Sequence, residues 1–175
     1  MSKKLKTYVR IVLDKSGSMS SIANQAVLNF NEQVQQMKMN SDTQEIYCSL
    51  ITFNGEVFEH LWDAPAKDLE EAAEGTYVTG GGTAFYDALG YTINKTKQVA
   101  SENINPDVDN AYLFYIISDG EENSSTKYTQ QSISKLIDSC NEEGNWTFTY
   151  MGCSKQYVEK VAKDINIPLA NCAVW

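Results

Sequence analysis

The sequence predicts an α/β domain with a mainly parallel central sheet, one antiparallel edge strand and helices on both faces. Three observations carry this. Short apolar or β-branched runs alternate with amphipathic helical stripes along the chain. The runs 7-TYVRIVL-13 and 111-AYLFYIIS-118 are nearly continuous in apolar residues, as strands covered on both faces must be. One pair of runs, 45-EIYCSLITF-53 and 56-EVFEHLW-62, flanks Asn54-Gly55, the dipeptide favoured in tight hairpins.

The first run opens the sheet. From Ser21 the residues Ile22, Ala26, Phe30, Val34 and Met37 form a helical stripe, with Ser20 or Ser21 as the expected cap. The Asn-Gly hairpin follows, then a loop-rich stretch with a short helical piece over 66-AKDLEEAA-73. A glycine cluster, Gly80-Gly81-Gly82, ends at Thr83, after which Phe85, Ala88, Leu89 and Ile93 mark a second helix. The run 111–118 is the expected central strand and stops at 119-DGEENSS-125. Ile133, Leu136, Ile137 and Cys140 define a third helix closed by Gly144. A strand at 146-WTFTYMG-152, a helix bearing Val158, Val161, Ala162 and Ile165, and a short last strand within 166–175 complete one domain spanning residues 1–175.

Composition narrows the function. The net charge is −9 and Arg10 is the only arginine, which argues against a nucleic-acid binder needing a basic surface. No apolar run approaches the ~18 residues of a membrane helix. The N-terminal 1-MSKKLKTYVR-10 enters a strand pattern with no secretory h-region, so an intracellular, cytoplasmic setting is expected. The cysteines Cys48, Cys140, Cys153 and Cys172 are widely spaced and are read as buried free thiols.

Sites in open α/β sheets form at the carboxyl ends of strands. Three loops there carry oxygen ligands: Asp14, Ser16 and Ser18 in the first, Thr83 in the second, Asp119 in the third. Side chains at i, i+2 and i+4 of an extended turn project to one side, and Gly17 lets the turn bend. Two carboxylates and three hydroxyls suit a hard divalent cation, Mg²⁺ first, with Mn²⁺ or Ca²⁺ as alternatives. Two carboxylates only balance one such ion, so it stays electrophilic. A carboxylate from a protein partner, Glu or Asp, can complete its shell, and the nearby helix N-termini favour that anion.

Taken singly, each residue has a plainer reading: Asp14 or Thr83 as a helix cap, Ser16 and Ser18 as turn residues, Asp119-Gly120 as a turn. Together, in this order at strand ends, 14-DKSGS-18, Thr83 after the glycines and 119-DG-120 resemble the metal ion-dependent adhesion site of von Willebrand factor type A domains. The resemblance covers essentially the whole chain. The segments 83-TAFYDAL-89, 117-ISDGEEN-123 and 148-FTYMG-152 are further similar to small stand-alone bacterial and phage members. It implies a Rossmann-like three-layer domain and metal-dependent binding of a protein partner without catalysis. By position, Ser16, Ser18 and Thr83 are the implied hydroxyl ligands, and Asp14 and Asp119 the implied charges.

Enzyme motifs are missing. There is no G-x-G-x-x-G after the first strand, no Walker lysine behind 80-GGGTAF-85 and no G-x-S-x-G elbow. A Mg²⁺-dependent phosphatase or hydrolase using Asp14 is the competing chemistry, although Ser16 stands where a second carboxylate is usual. A structural subunit of a larger, phage-type assembly is a third reading. The single histidine, His60, is expected to be exposed on the edge strand without a role. Glu121 and Glu122 read as a solvated acidic loop. Phe85 reads as core, Tyr77 as a surface aromatic at a partner rim.

Overall fold

The computed structural model describes residues 3–119 and 121–175. Gly120, in the expected Asp119-Gly120 turn, lies outside them. Six strands, β1 (Lys4–Asp14), β2 (Glu45–Phe53), β3 (Val57–Pro65), β4 (Val108–Ile117), β5 (Trp146–Gly152) and β6 (Cys172–Val174), form one sheet in the order β3-β2-β1-β4-β5-β6. Every pairing is parallel except β2 with β3, the Asn-Gly hairpin. Among the described residues no helix is long and apolar enough to cross a membrane.

Four α-helices cover the sheet: α1 (Ala23–Asn40), α2 (Phe85–Glu102), α3 (Gln130–Glu143) and α4 (Lys155–Asp164). Right-handed crossovers decide their faces. The chain steps one way from β1 to β2 and the opposite way from β4 to β5 to β6, so α1 lies on one face and α3 and α4 on the other. Helix α2 joins the second group. The two cores follow: Val9, Ile11 and Leu13 pack with Ala26, Phe30 and Val34 of α1, whereas Val12, Phe114 and Phe148 pack with Leu89, Ile133 and Val161. The reversal of direction lies between β1 and β4, the switch point at which open α/β sheets form their ligand crevice.

Several local expectations are corrected. The first helix begins with a 3₁₀ segment, Gly17–Ile22, so neither Ser20 nor Ser21 caps it, and no side chain bonds the α1 N-terminus at Ile22. The piece 66–73 is a 3₁₀ turn over Ala66–Asp68 followed by irregular chain. Its backbone bonds to α1 instead: the Asn31 side chain meets both the N–H and the C=O of Ala72, and Lys38 Nζ donates to Leu69 C=O at 2.8 Å. Helix α3 is closed by Gly144 at φ 79°, as expected, and opened by a Thr129–Ser132 capping box. Of the four free thiols only Cys48 and Cys140 are buried, and burial pushes them up to about 12 and about 11; Cys153 and Cys172 are half-exposed.

Candidate functional site

The register of β1 against β4 pairs Leu13 with Ile117, which sets Asp14 beside Ser118 at the mouth of the crevice. Asp14 is fully buried. One carboxylate oxygen accepts the Ser16 N–H at 2.7 Å and the other accepts the Ser118 hydroxyl at 2.7 Å. Ser118 is itself positioned by Tyr150, whose hydroxyl donates to the Ser118 carbonyl at 2.9 Å. Burial pushes the Asp14 carboxyl above its ordinary value; the serine bonds oppose this and the Asp119 charge adds to it. The next two residues of the set are close by, with Ser16 Oγ 3.1 Å from Ser18 Oγ. Ser16 is buried and Ser18 is exposed, so this arm runs from the protein interior to solvent.

The glycine loop is stitched to this arm through backbone. Gly17 N–H donates to Gly81 C=O at 3.1 Å and Gly80 N–H to Lys15 C=O at 2.9 Å. Gly81 sits at φ 80°, a conformation other residues rarely take. A Cβ on Gly82 would overlap the Ser124 side chain, so close approach of the second and third loops requires glycine there. Thr83, buried, ends this loop: its N–H donates to Asn123 Oδ1 at 2.8 Å, and its C=O accepts the N–H groups of Asn123 and Ser124. The three loops are therefore bonded to one another, the first carrying Asp14, Ser16 and Ser18 and the second Thr83.

Asp119 follows β4 and is 5% exposed. Its Oδ1 accepts the Glu121 N–H at 3.2 Å, while its Oδ2 is buried with no hydrogen-bond partner among the described residues. An ionised oxygen taken out of water without a partner is costly, and a cation is the group that satisfies it. The donor chemistry fits a hard ion. Among the described residues no group of three or more His, Cys, Asp or Glu side chains is placed to hold a metal, so any ion here must draw on the serine and threonine hydroxyls beside the two aspartates.

Residues outside the motif hold the third loop. Glu122 is no freely solvated acid: one oxygen accepts the N–H groups of Ser124 (2.9 Å) and Ser125 (2.7 Å), and the other accepts Tyr86 N–H at 3.1 Å, tying the loop to the start of α2. Asp87, in the first turn of α2, accepts the N–H groups of Thr126, Lys127 and Tyr128, each at 2.9 Å. Burial alone would raise the Asp87 carboxyl, but these three donors and the Lys127 charge outweigh it and hold it below the ordinary carboxylate value. A carboxylate four residues beyond Thr83 is the signal that reveals this anchor. Glu121 is exposed and accepts the Tyr157 hydroxyl at 3.0 Å.

The aromatic expectations divide. Phe85 is core. Tyr77 is not a free rim residue: it is half-buried against the α1-side core and its hydroxyl donates to the Asp14 carbonyl, bracing the Asp14 loop. His60 is exposed on the edge strand, with Nε2 2.7 Å from Thr52 Oγ1.

Solved structures share this architecture. A von Willebrand factor type A protein from Catenulispora acidiphila aligns at TM-score 0.61 and 17% identity, covering 99% of this chain and 39% of its own. The proximal thread matrix protein 1 of the mussel byssus, with zinc occupying its metal ion-dependent adhesion motif, aligns at 0.58 and 14%, covering 98% and 41%. Three N-terminal domains of the pilus tip protein Mfa5 from Porphyromonas gingivalis align at 0.66 and 10%, covering 99% and 47%. The chain thus spans less than half the length of each. No curated protein matches the sequence significantly. The sequence matches the von Willebrand factor type A domain over residues 9–172, and the chain, with its six-stranded sheet, belongs to that family.

Proposed function

We propose that this domain is a divalent-cation-dependent protein-interaction module whose ion is held by Asp14, Ser16, Ser18, Thr83 and Asp119 and completed by a Glu or Asp of a protein partner. The observation that carries the reading is the buried Asp119 Oδ2, unpartnered among the described residues, at the same crevice as buried Asp14. Type A domains are commonly metal-dependent interaction or adhesion modules, and this chain has the oxygen set such a site needs. Mg²⁺ suits that set best, because hydroxyls and carboxylates are hard donors. When bound, the cation supplies a positive, electrophilic position for a partner carboxylate.

The protein's own groups do the rest. Ser118 and the Ser16 N–H fix the Asp14 carboxylate in one orientation, so it is held before any ion arrives. Exposed Ser18 leaves the rim open to a partner, whereas Asp14 and Asp119 stay shielded from bulk water. The same geometry disfavours the phosphatase reading: an attacking carboxylate must reach its substrate, yet Asp14 is fully buried with both oxygens engaged. The unpaired thiols support a reducing, cytoplasmic setting.

The test is capture by immobilised full-length chain with Mg²⁺ or with chelator, read by quantitative mass spectrometry, alongside the Asp119→Asn variant. A specific protein enriched with Mg²⁺, and reduced at least about tenfold by either chelator or the variant, is expected. Capture that persists unchanged in chelator would instead support a structural subunit whose contacts do not use the metal.

A further inference from the structure

The α1 face of the sheet carries only one α-helix, and beyond it the irregular 69–80 segment serves as cover. This loop does not fill the space over β1 and β2. It leaves a cavity of about 260 Å³ between Leu13 and Leu50 of the sheet, Phe30 of α1 and Tyr77 of the loop, with Lys15 and His60 at its polar side. That volume is near the lower end of small-molecule sites, which combine apolar walls with a few convergent polar groups.

The charge of the lining is opposite to that of the protein. The chain has 23 Asp and Glu residues against 14 Lys and Arg, yet no carboxylate lines this cavity. Lys15 forms no ion pair among the described residues; its Nζ lies 3.7 Å from the centre of the Phe58 ring, a contact that leaves the ammonium free to meet an anion. Burial and the Lys15 charge both hold the His60 imidazole below its ordinary value. Thr52 and His60 add hydrogen-bonding groups 2.7 Å apart on the same wall.

We propose that this cavity is a binding site for a compact apolar acid, an aryl or short alkyl carboxylate, its body against Leu13, Phe30 and Leu50 and its carboxylate on Lys15. The cavity lies behind the Asp14 loop, from which it takes Leu13 and Lys15 while Tyr77 reaches from its wall to the Asp14 carbonyl, and it has an opening of its own that needs no metal to be filled.

Phenylacetate and 4-phenylbutyrate are the probes, titrated into ¹⁵N-labelled full-length protein without metal and followed by amide chemical shifts. Saturable shifts are expected at Leu13–Lys15, Thr52, His60 and Thr76–Val78, with phenethylamine producing none. Lys15→Gln is expected to weaken binding by about tenfold or more, as loss of a charge-assisted bond does. Ala72→Phe, a loop-wall change that fills the cavity, is expected to abolish it while distant amides keep their positions. Equal response to the amine, shifts centred elsewhere, or undiminished binding in Ala72→Phe would each overturn the proposal.

Discussion

Asp119→Asn is expected to weaken Mg²⁺ binding by about 100-fold or more and, in the same molecule, to raise the melting temperature of the metal-free protein. The affinity loss follows from removing one of only two carboxylates, since ligand charge count sets the strength of a hard-cation site and even outer-shell changes cost 10- to 100-fold. The stability gain follows from what the metal-free site must endure. Asp14 and Asp119 are both buried, the Asp119 charge acts against ionised Asp14, and Asp119 Oδ2 has no partner among the described residues. Asparagine keeps the Oδ1 acceptor for the Glu121 N–H but removes the charge. A gain of about 1 kcal/mol, or about 2–4 °C at this size, is expected. Differential scanning calorimetry in chelator and in Mg²⁺ checks both halves. A variant that melts lower in chelator, or still rises with Mg²⁺, would break the link between the orphan oxygen and the ion.

Arg10→Ala is expected to cost about 3 kcal/mol or more of stability, measured by urea unfolding, while leaving Mg²⁺ affinity within about twofold. Arg10 is fully buried on β1. It donates to Thr96 (2.9 Å), Ser49 (2.7 Å) and Asp63 (2.5 Å), and its guanidinium lies 4.2 Å from the centre of the Trp62 ring. Truncation leaves a cavity under α2 and strands the hydroxyls and carboxylate that converge on it. It also unpins the edge strand, because Asp63 sits at φ 49°, beside the irregular β2–β3 register, and its N–H bonds Ser49 Oγ. The proposed cation site begins at Asp14, four residues further along the same strand and roughly 13 Å away, with none of these partners in common. Loss of Mg²⁺ binding in Arg10→Ala at temperatures where it remains folded would contradict this separation.

Much of the fold was legible because pattern and architecture agree. Continuous apolar runs marked β1 and β4, the two central strands, and Asn54-Gly55 marked the one antiparallel turn. The proposed site was legible for a related reason: Asp14, Ser16 and Ser18 follow one another at fixed spacing at the end of β1, Asp119 follows β4, and Thr83 closes the glycine loop that leads into α2. What was not legible depends on side chains that meet only in three dimensions. Arg10 looks like an odd residue in an apolar strand until Ser49, Asp63 and Thr96 are seen around it. The 66–73 segment has helix-forming composition, but Asn31 and Lys38 of α1 capture its backbone groups, and these tertiary bonds outweigh propensity. Tyr77 pointed to a surface role because nothing local announces that its hydroxyl reaches the Asp14 carbonyl. Ser118, Glu122 and Asp87 act as supports for the same reason, through partners far away in sequence.

The most direct measurement is a calorimetric titration of Mg²⁺ into metal-free wild-type protein, with Asp14→Asn beside it. Saturable one-site binding in the wild type, lost in a variant that remains folded, is the predicted result. Binding that survives unchanged in Asp14→Asn, or a wild type that takes up no Mg²⁺, Mn²⁺ or Ca²⁺, would contradict a cation site at this crevice.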